Sequence, residues 1–157
     1  MKPKPSRTLP TLPTLPKYNE GIAAALLAAR EAVMSPIRPI LRHHELTEQQ
    51  WRLLRVLIDH WPMEVSQAAD ASMIMAPSVT RILKDLTQRG LVQRTASEDD
   101  ARRSILSITK QGNELVMQTA AETTELLAEY VAAFGKTRFD KLVAELKAFD
   151  QAIRFTR

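Results

Sequence analysis

Residues 76–112 read APSVTRILKDLTQRGLVQRTASEDDARRSILSITKQG, and this stretch decides the fold. It opens with apolar residues at helical spacing, and Pro77 is suited to the first turn of that helix. Gly90 predicts the end of the helix, because glycine adopts the positive φ that helix C-termini often need. Two β-prone runs, 91–95 and 104–108, flank a polar segment. We therefore expect a helix followed by a β-hairpin.

Helical patterns precede this stretch. Three segments space their apolar residues as helices do: 18–43, 47–60 and 65–71. Thr47 and Gln50 match a capping box, in which each side chain bonds the backbone amide of the other at a helix start. Pro36 and Pro39 fall in the first segment, and we expect them to kink or interrupt its second half.

Two further helices are predicted after the hairpin. Thr109 caps a long helix that reaches about Phe134 and is ended by Gly135. Thr137 with Asp140 marks the start of the last helix. Both helices carry so much apolar surface that they need a partner. We expect them, together with the first helix, to form a dimer interface.

The order of helix, helix, turn, helix, hairpin and long helix is that of a winged helix-turn-helix. The expected fold class is mainly α with a small β-hairpin wing, joined to a helical dimerisation region. Four segments are predicted: a disordered, Pro-rich basic arm at 1–17, N-terminal helices for dimerisation and a ligand-pocket wall at 18–62, a DNA-binding lobe at 63–109, and C-terminal dimerisation helices at 110–157.

The net charge of +4 belongs to the N-terminal arm. Lys2, Lys4, Arg7 and Lys17 lie in the first 17 residues, which contain no acid, and the rest of the chain has as many acids as bases. Any nucleic-acid interface therefore depends on where the charges fall and not on their sum.

Composition excludes several classes of function. The chain has no Cys, which removes disulfides and thiolate metal sites and fits a reducing cytoplasm. No apolar run approaches the roughly 20 residues of a membrane span. Gly is rare, with 4 residues, and no nucleophile motif is present. We expect a bacterial cytoplasmic protein that is not an enzyme, binds no cofactor and has no membrane partner.

Polar and basic side chains of the second helix of the motif are the candidate DNA contacts. Ser78, Arg81 and Lys84 lie on or near one helix face, and an arginine can bind guanine through two hydrogen bonds. The expected hairpin tip carries Arg102 and Arg103, and an arginine at a narrow tip can enter a minor groove. The full candidate set is Ser66, Pro77, Ser78, Thr80, Arg81, Lys84, Arg102 and Arg103.

Several motifs together resemble the MarR family of bacterial regulators. They are LTEQQWRLL at 46–54, PSVT at 77–80, GLV at 90–92, and DAR at 100–102 followed by LSITKQG at 106–112. The resemblance covers about residues 23–149, and its most specific part is the wing motif with the stretch after it. AREA at 29–32, RPI at 38–40 and residues 46–55 resemble the subgroup that regulates homoprotocatechuate (4-hydroxyphenylacetate) degradation.

This resemblance implies a homodimer that binds double-stranded DNA at a pseudo-palindromic operator. The usual outcome is repression, here expected for genes of aromatic or heteroaromatic acid catabolism, relieved by a small aromatic carboxylic acid. Ser78, Arg81 and Lys84 correspond to recognition-helix contacts, and Arg102 corresponds to the wing arginine.

An aromatic carboxylate needs a cationic anchor and an apolar slot. Arg55 follows Trp51 by one helical turn, so both side chains can line one side of a site. Arg38 comes from the Pro-containing region, where the helix is expected to open. The candidate ligand-binding set is Met34, Ser35, Arg38, His43, Trp51 and Arg55.

Two alternatives use the same fold: a winged-helix module for protein–protein contact, and a metal-sensing regulator. The first would not need a polar recognition face or an arginine at the wing. For the second, His43 and His44 are adjacent, and neighbouring side chains on a helix point about 100° apart, so they rarely share an ion. No metal site is expected.

Overall fold

The structure is a computed structural model, and it describes residues 17–96 and 104–154. The elements are a 3-10 helix (Tyr18–Glu20), the helices α1 (Ile22–His43), α2 (Glu48–His60), α3 (Val65–Ser72), α4 (Ala76–Gln88), α5 (Lys110–Phe134) and α6 (Lys136–Arg154), and the strands β1 (Met63–Glu64), β2 (Val92–Ala96) and β3 (Ser104–Ile108). The order of elements confirms the predicted winged helix-turn-helix, mainly α with a small antiparallel sheet.

The chain divides into two compact units, Met1–Ser35 and Pro36–Arg157. The described part of the first unit holds the 3-10 helix and the beginning of α1, whose Ile22 and Leu27 side chains are exposed. The second unit holds the remaining elements and the hydrophobic core. Within the described ranges, no helix has both the length and the apolar character needed to span a membrane.

The α1 helix continues through both of its prolines to His43. The expected interruption at Pro36 and Pro39 is therefore wrong. Each proline removes one backbone hydrogen bond and crowds the preceding turn. Ile37 and Leu41 lie one turn apart in the same stretch and are buried, so packing holds the helix where local preference would end it.

Capping contacts confirm the predicted starts of α2 and α5 and the predicted end of α5. Thr47 Oγ1 accepts from the Gln50 amide at 3.2 Å, and Gln50 Oε1 accepts from the Thr47 amide at 2.8 Å, which completes the capping box of α2. Thr109 caps α5, and Gly135 ends it with φ of 88°. The last helix begins at Lys136, one residue before the predicted start.

The hairpin belongs to a three-stranded sheet of order β1-β3-β2. Val92 pairs with Ile108 across the hairpin, and Met63 pairs with Leu106 on the other side of β3. Sequence patterning missed β1 because two residues are too few to show a strand period. The strand ties the start of α3 to the wing, so the two parts of the lobe share one sheet.

The core of the second unit lies between α2, α4, the sheet and α5. Its fully buried members include Leu53, Leu54, Leu57, Val79, Leu86, Leu106 and Val116. On α4 the buried residues recur at helical spacing: Val79, Ile82, Leu83 and Leu86. This apolar stripe fixes the rotation of α4 about its axis and leaves the opposite side of the helix facing solvent.

Candidate functional site

The solvent-facing side of α4 carries four of the predicted DNA contacts. Pro77, Thr80, Arg81 and Lys84 are all exposed, and Ser78 is half-buried. Pro77 lies in the first turn of the helix, where its missing amide N–H costs no helical hydrogen bond. Because the other side of α4 is buried, the N-terminal half of the helix presents a polar and basic surface to solvent.

A concavity of about 570 Å³ lies between α4 and β2. It is lined by Pro77, Thr80, Arg81, Leu83, Lys84, Thr87, Gln88 and Arg94. The structure thus brings four residues of the predicted DNA set to one groove. Among its described lining residues none is acidic, whereas three are cationic, so the groove favours a polyanion.

Arg94 is a lining residue that the sequence analysis missed. It is exposed on β2, two residues after the buried Val92. The hairpin places it beside Arg81 and Lys84, which come from the preceding helix. The available signal was a base in the first strand of the wing, but patterning drew attention to the recognition helix and to the tip instead.

Two of the remaining predicted DNA contacts lie outside the groove. Ser66 is exposed on α3 and does not line the groove. Ser78 also lies off the groove, on the flank of α4. Arg102 and Arg103 fall outside the described residues.

One face of α2 gathers the main candidates for an anion site. The guanidinium carbon of Arg55 lies 5.9 Å from the centre of the Trp51 ring, and Arg55 also approaches Asp59 at 3.9 Å. Glu48 precedes Trp51 by three residues and so shares this face. Arg38 Nε donates to Glu48 Oε1, which brings the end of α1 to the same face of α2.

Arg52 is another residue that the sequence pattern did not single out, and it lies in this region. It lies one turn after Glu48 on α2, and its Nε atom is buried with no hydrogen-bond partner in the described part of the chain. A buried donor without an acceptor costs on the order of 1–3 kcal/mol. Such a donor is suited to an acidic group that the free chain does not supply.

His43 lies at a different cavity of the second unit, of about 620 Å³. Its described lining residues are His43, His44, Glu45, Arg89, Leu91, Gln111, Glu114, Leu115 and Gln118. Trp51 and Arg55 are not among them, so the structure does not gather His43 with these two residues. Met34 and Ser35 belong to the first unit, where Met34 is half-buried and Ser35 is exposed.

The described residues contain no group of three or more His, Cys, Asp or Glu side chains that could hold a metal ion. His44 Nε2 instead lies 2.7 Å from Glu122 Oε1 on α5. The rings of His43 and His44 meet edge to face, with centres 5.2 Å apart.

Known proteins resemble the chain in sequence and fold. Residues 46–104 match the MarR family. The chain is 36% identical over 131 residues to the homoprotocatechuate degradative operon repressor of Escherichia coli, covering 83% of this chain and 88% of that protein. It is 33% identical over 145 residues to the HTH-type transcriptional regulator FarR of Neisseria gonorrhoeae, covering 90% and 99%. The crystal structure of NadR in complex with 4-hydroxyphenylacetate superposes with a TM-score of 0.73 at 34% identity, covering 86% of this chain and 97% of NadR.

Proposed function

The chain belongs to the MarR family of transcriptional regulators, and we propose that it is a ligand-responsive repressor that acts as a homodimer on a pseudo-palindromic operator. Its target genes are those of aromatic or heteroaromatic acid catabolism. Its effector is a small aromatic carboxylic acid, whose binding releases the operator.

The groove between α4 and β2 is the observation that carries the DNA-binding part. Arg81, Lys84 and Arg94 surround it, and its described lining includes no acid. The phosphate backbone supplies much of the affinity for such a cationic surface, whereas base edges supply specificity. We assign Arg81 to base contact from α4, and we assign Lys84 and Arg94 to phosphates. Ser66, Ser78 and the wing arginines Arg102 and Arg103 complete the proposed interface.

The α2 face supports the effector part. Trp51 offers an aromatic surface, and Arg38 and Arg55 offer charges that can bind a carboxylate. The E. coli relative is named for the homoprotocatechuate operon, and NadR was crystallised with 4-hydroxyphenylacetate. Both names point to an aromatic acid for a chain of this similarity.

In this proposal, the effector releases the operator by shifting the population between two states of the dimer. Two recognition helices of a dimer reach successive major grooves when they are about 34–36 Å apart, one turn of DNA. An effector that binds a state with another spacing more tightly lowers the operator affinity by at most that difference in binding free energy.

A gel shift tests the proposal. The purified protein is titrated onto the intergenic DNA beside its own gene, with and without 4-hydroxyphenylacetate. We expect a specific complex that the acid dissolves and that the neutral amide of the same acid leaves intact. Binding to no neighbouring intergenic DNA at low salt would contradict the regulator. A complex insensitive to the acid would contradict the effector class alone.

Calorimetry tests the α2 face directly. The Arg38→Ala variant removes one proposed carboxylate anchor, and Lys147→Ala removes an exposed charge from α6 as a control. We expect about tenfold weaker binding of 4-hydroxyphenylacetate to the first variant, because an arginine–carboxylate pair is among the stronger hydrogen-bonded contacts. Equal affinity of Arg38→Ala and the wild type would remove Arg38 from the site.

A further inference from the structure

Gln50 uses both ends of its side-chain amide. Its Oε1 accepts from the Thr47 amide at 2.8 Å, as part of the capping box of α2. Its Nε2 donates to Asp85 Oδ2 on α4 at 2.7 Å. The capping contact alone could be made by a glutamate, whereas the contact with Asp85 requires a donor. Gln50 therefore links the first turn of α2 to α4, the helix proposed to be the recognition helix.

A second contact joins the same two regions. Arg89, the residue after α4, donates from Nη1 to the Glu45 carbonyl at 2.9 Å and lies 3.7 Å from Asp85 Oδ2. Glu45 has a φ of 54° in the turn between α1 and α2. Asp85 thus lies between Gln50 and Arg89. Together these contacts hold the last turns of α4 against the turn between α1 and α2 and against the start of α2.

These contacts lie next to the groups proposed for DNA and effector. Asp85 follows Arg81 by one helical turn and adjoins Lys84, so a movement of Asp85 moves both cations of the groove. On the other side, Glu48 lies in the same first turn of α2 as Gln50 and pairs with Arg38. Glu48 accepts from Nε of Arg38, so a carboxylate that binds the Nε side of this guanidinium competes with Glu48.

We propose that Gln50 is a positioning residue that sets the recognition helix through Asp85 and transmits to it the occupancy of Arg38. This inference rests on the proposed function, which assigns DNA to α4 and the effector carboxylate to Arg38. When an effector carboxylate displaces Glu48 from Arg38, the first turn of α2 shifts, and the Gln50–Asp85 hydrogen bond carries that shift to α4. Gln50 touches neither DNA nor effector in this scheme.

The variant Gln50→Glu separates the two roles of the side chain. The new side chain still accepts from the Thr47 amide, so the capping box is kept. It places a carboxylate against that of Asp85, where the amide previously donated, and this breaks the link. Gln49→Glu adds the same charge one position earlier and is the matched control. Gln50→Glu/Asp85→Asn restores a donor–acceptor pair in the reverse sense.

Operator affinity and the effector response are measured for all variants, with Asp85→Asn alone to complete the cycle. We expect Gln50→Glu to bind the operator about three- to tenfold more weakly without effector, because only part of the free energy of this hydrogen bond distinguishes the DNA-binding state from the other state. We also expect a smaller ratio of operator Kd values with and without 4-hydroxyphenylacetate. The double variant should recover both values, and the midpoint of its urea unfolding should stay near that of Gln49→Glu.

The inference is overturned if Gln50→Glu and Gln49→Glu have the same operator Kd and the same ratio of Kd values with and without effector. It is also overturned if adding Asp85→Asn to Gln50→Glu does not bring these two values back toward those of the wild type. If 4-hydroxyphenylacetate does not change the operator affinity of the wild type, the proposed effector class is wrong. The operator affinities of Gln50→Glu and Gln49→Glu without effector then test the Gln50–Asp85 link. If the wild type binds no DNA, amide exchange in α4 decides it: faster exchange in Gln50→Glu than in Gln49→Glu supports the link, and equal exchange overturns it.

Discussion

Arg94 is the residue whose role depends most on tertiary structure. It reaches the groove of Arg81 and Lys84 from β2, and a solvated arginine there is suited to a DNA phosphate. We predict that Arg94→Gln weakens binding to the operator and to unrelated DNA by similar factors. The slope of log K against log salt concentration should fall by about 0.9 for each phosphate that the variant no longer neutralises. Fluorescence anisotropy over a salt series measures both quantities.

Lys147→Gln is the control for Arg94→Gln, because Lys147 is an exposed base on α6 that the groove does not include. Its salt slope should match that of the wild type. If Arg94→Gln leaves the slope unchanged and weakens binding to the operator alone, Arg94 contacts bases and not phosphates.

Arg52 allows a prediction about stability and effector together. Its buried Nε lacks a partner among the described residues, so the free protein is destabilised by an unsatisfied donor. We predict that Arg52→Met, which keeps an unbranched chain as far as the position of Nε and removes the donor, leaves the melting temperature without effector equal or higher. The rise in melting temperature caused by 4-hydroxyphenylacetate should be smaller than in the wild type. Differential scanning fluorimetry measures both, and a lower melting temperature of the free variant would contradict the idea.

At the scale of elements, the junction of α5 with the start of the wing depends on a close backbone approach. Thr109 Oγ1 donates to the Gly90 carbonyl at 2.7 Å and accepts from the Gly112 amide at 3.0 Å. A Cβ added to Gly112 would lie 2.1 Å from the Leu91 carbonyl oxygen. The glycine of the LSITKQG stretch is therefore required by packing, and the threonine by capping.

We predict that Gly112→Ala lowers the free energy of unfolding by about 3 kcal/mol, because α5 or the wing must move to admit the methyl group. Gly135→Ala is the comparison. Gly135 has φ of 88° and ψ of 128°, outside the left-handed helical region, with open space around it, so that variant should lose about 1–3 kcal/mol from backbone strain alone. Urea unfolding compares the two variants with the wild type. A loss of less than about 1 kcal/mol in Gly112→Ala would show that the junction tolerates a side chain.

Elements governed by local chemistry were predictable from sequence, whereas those governed by contacts across space were not. The Thr47–Gln50 capping box and the end of α5 at Gly135 are local, and both predictions are confirmed. β1 is formed by pairing with β3, and Pro36 is held in a helix by burial of its neighbours. The candidate site divides in the same way: the exposed face of α4 follows from periodicity, but the place of Arg94 follows only from the hairpin.

At the scale of the whole molecule, α6 presents an exposed apolar surface. None of its residues is buried in the single chain, although Leu142, Leu146, Phe149 and Ile153 recur at helical spacing. Each of these side chains is between 41% and 48% exposed. Burial of such a stripe is worth about 25 cal/mol per Å² of apolar surface, and a second copy of the chain is the partner that we propose for it.

We predict that Leu146→Asp shifts the protein from dimer to monomer, because it places a charge at the centre of the stripe, where desolvation is costly. Lys147→Asp introduces an acid one residue away from the stripe and should stay dimeric. Sedimentation velocity measures the state of each variant, and circular dichroism checks that helix content is retained. A monomer presents one recognition helix, so its operator affinity should fall toward that for a half-site. A folded Leu146→Asp variant that sediments as a dimer and binds the operator like the wild type would exclude this face of α6 from the interface.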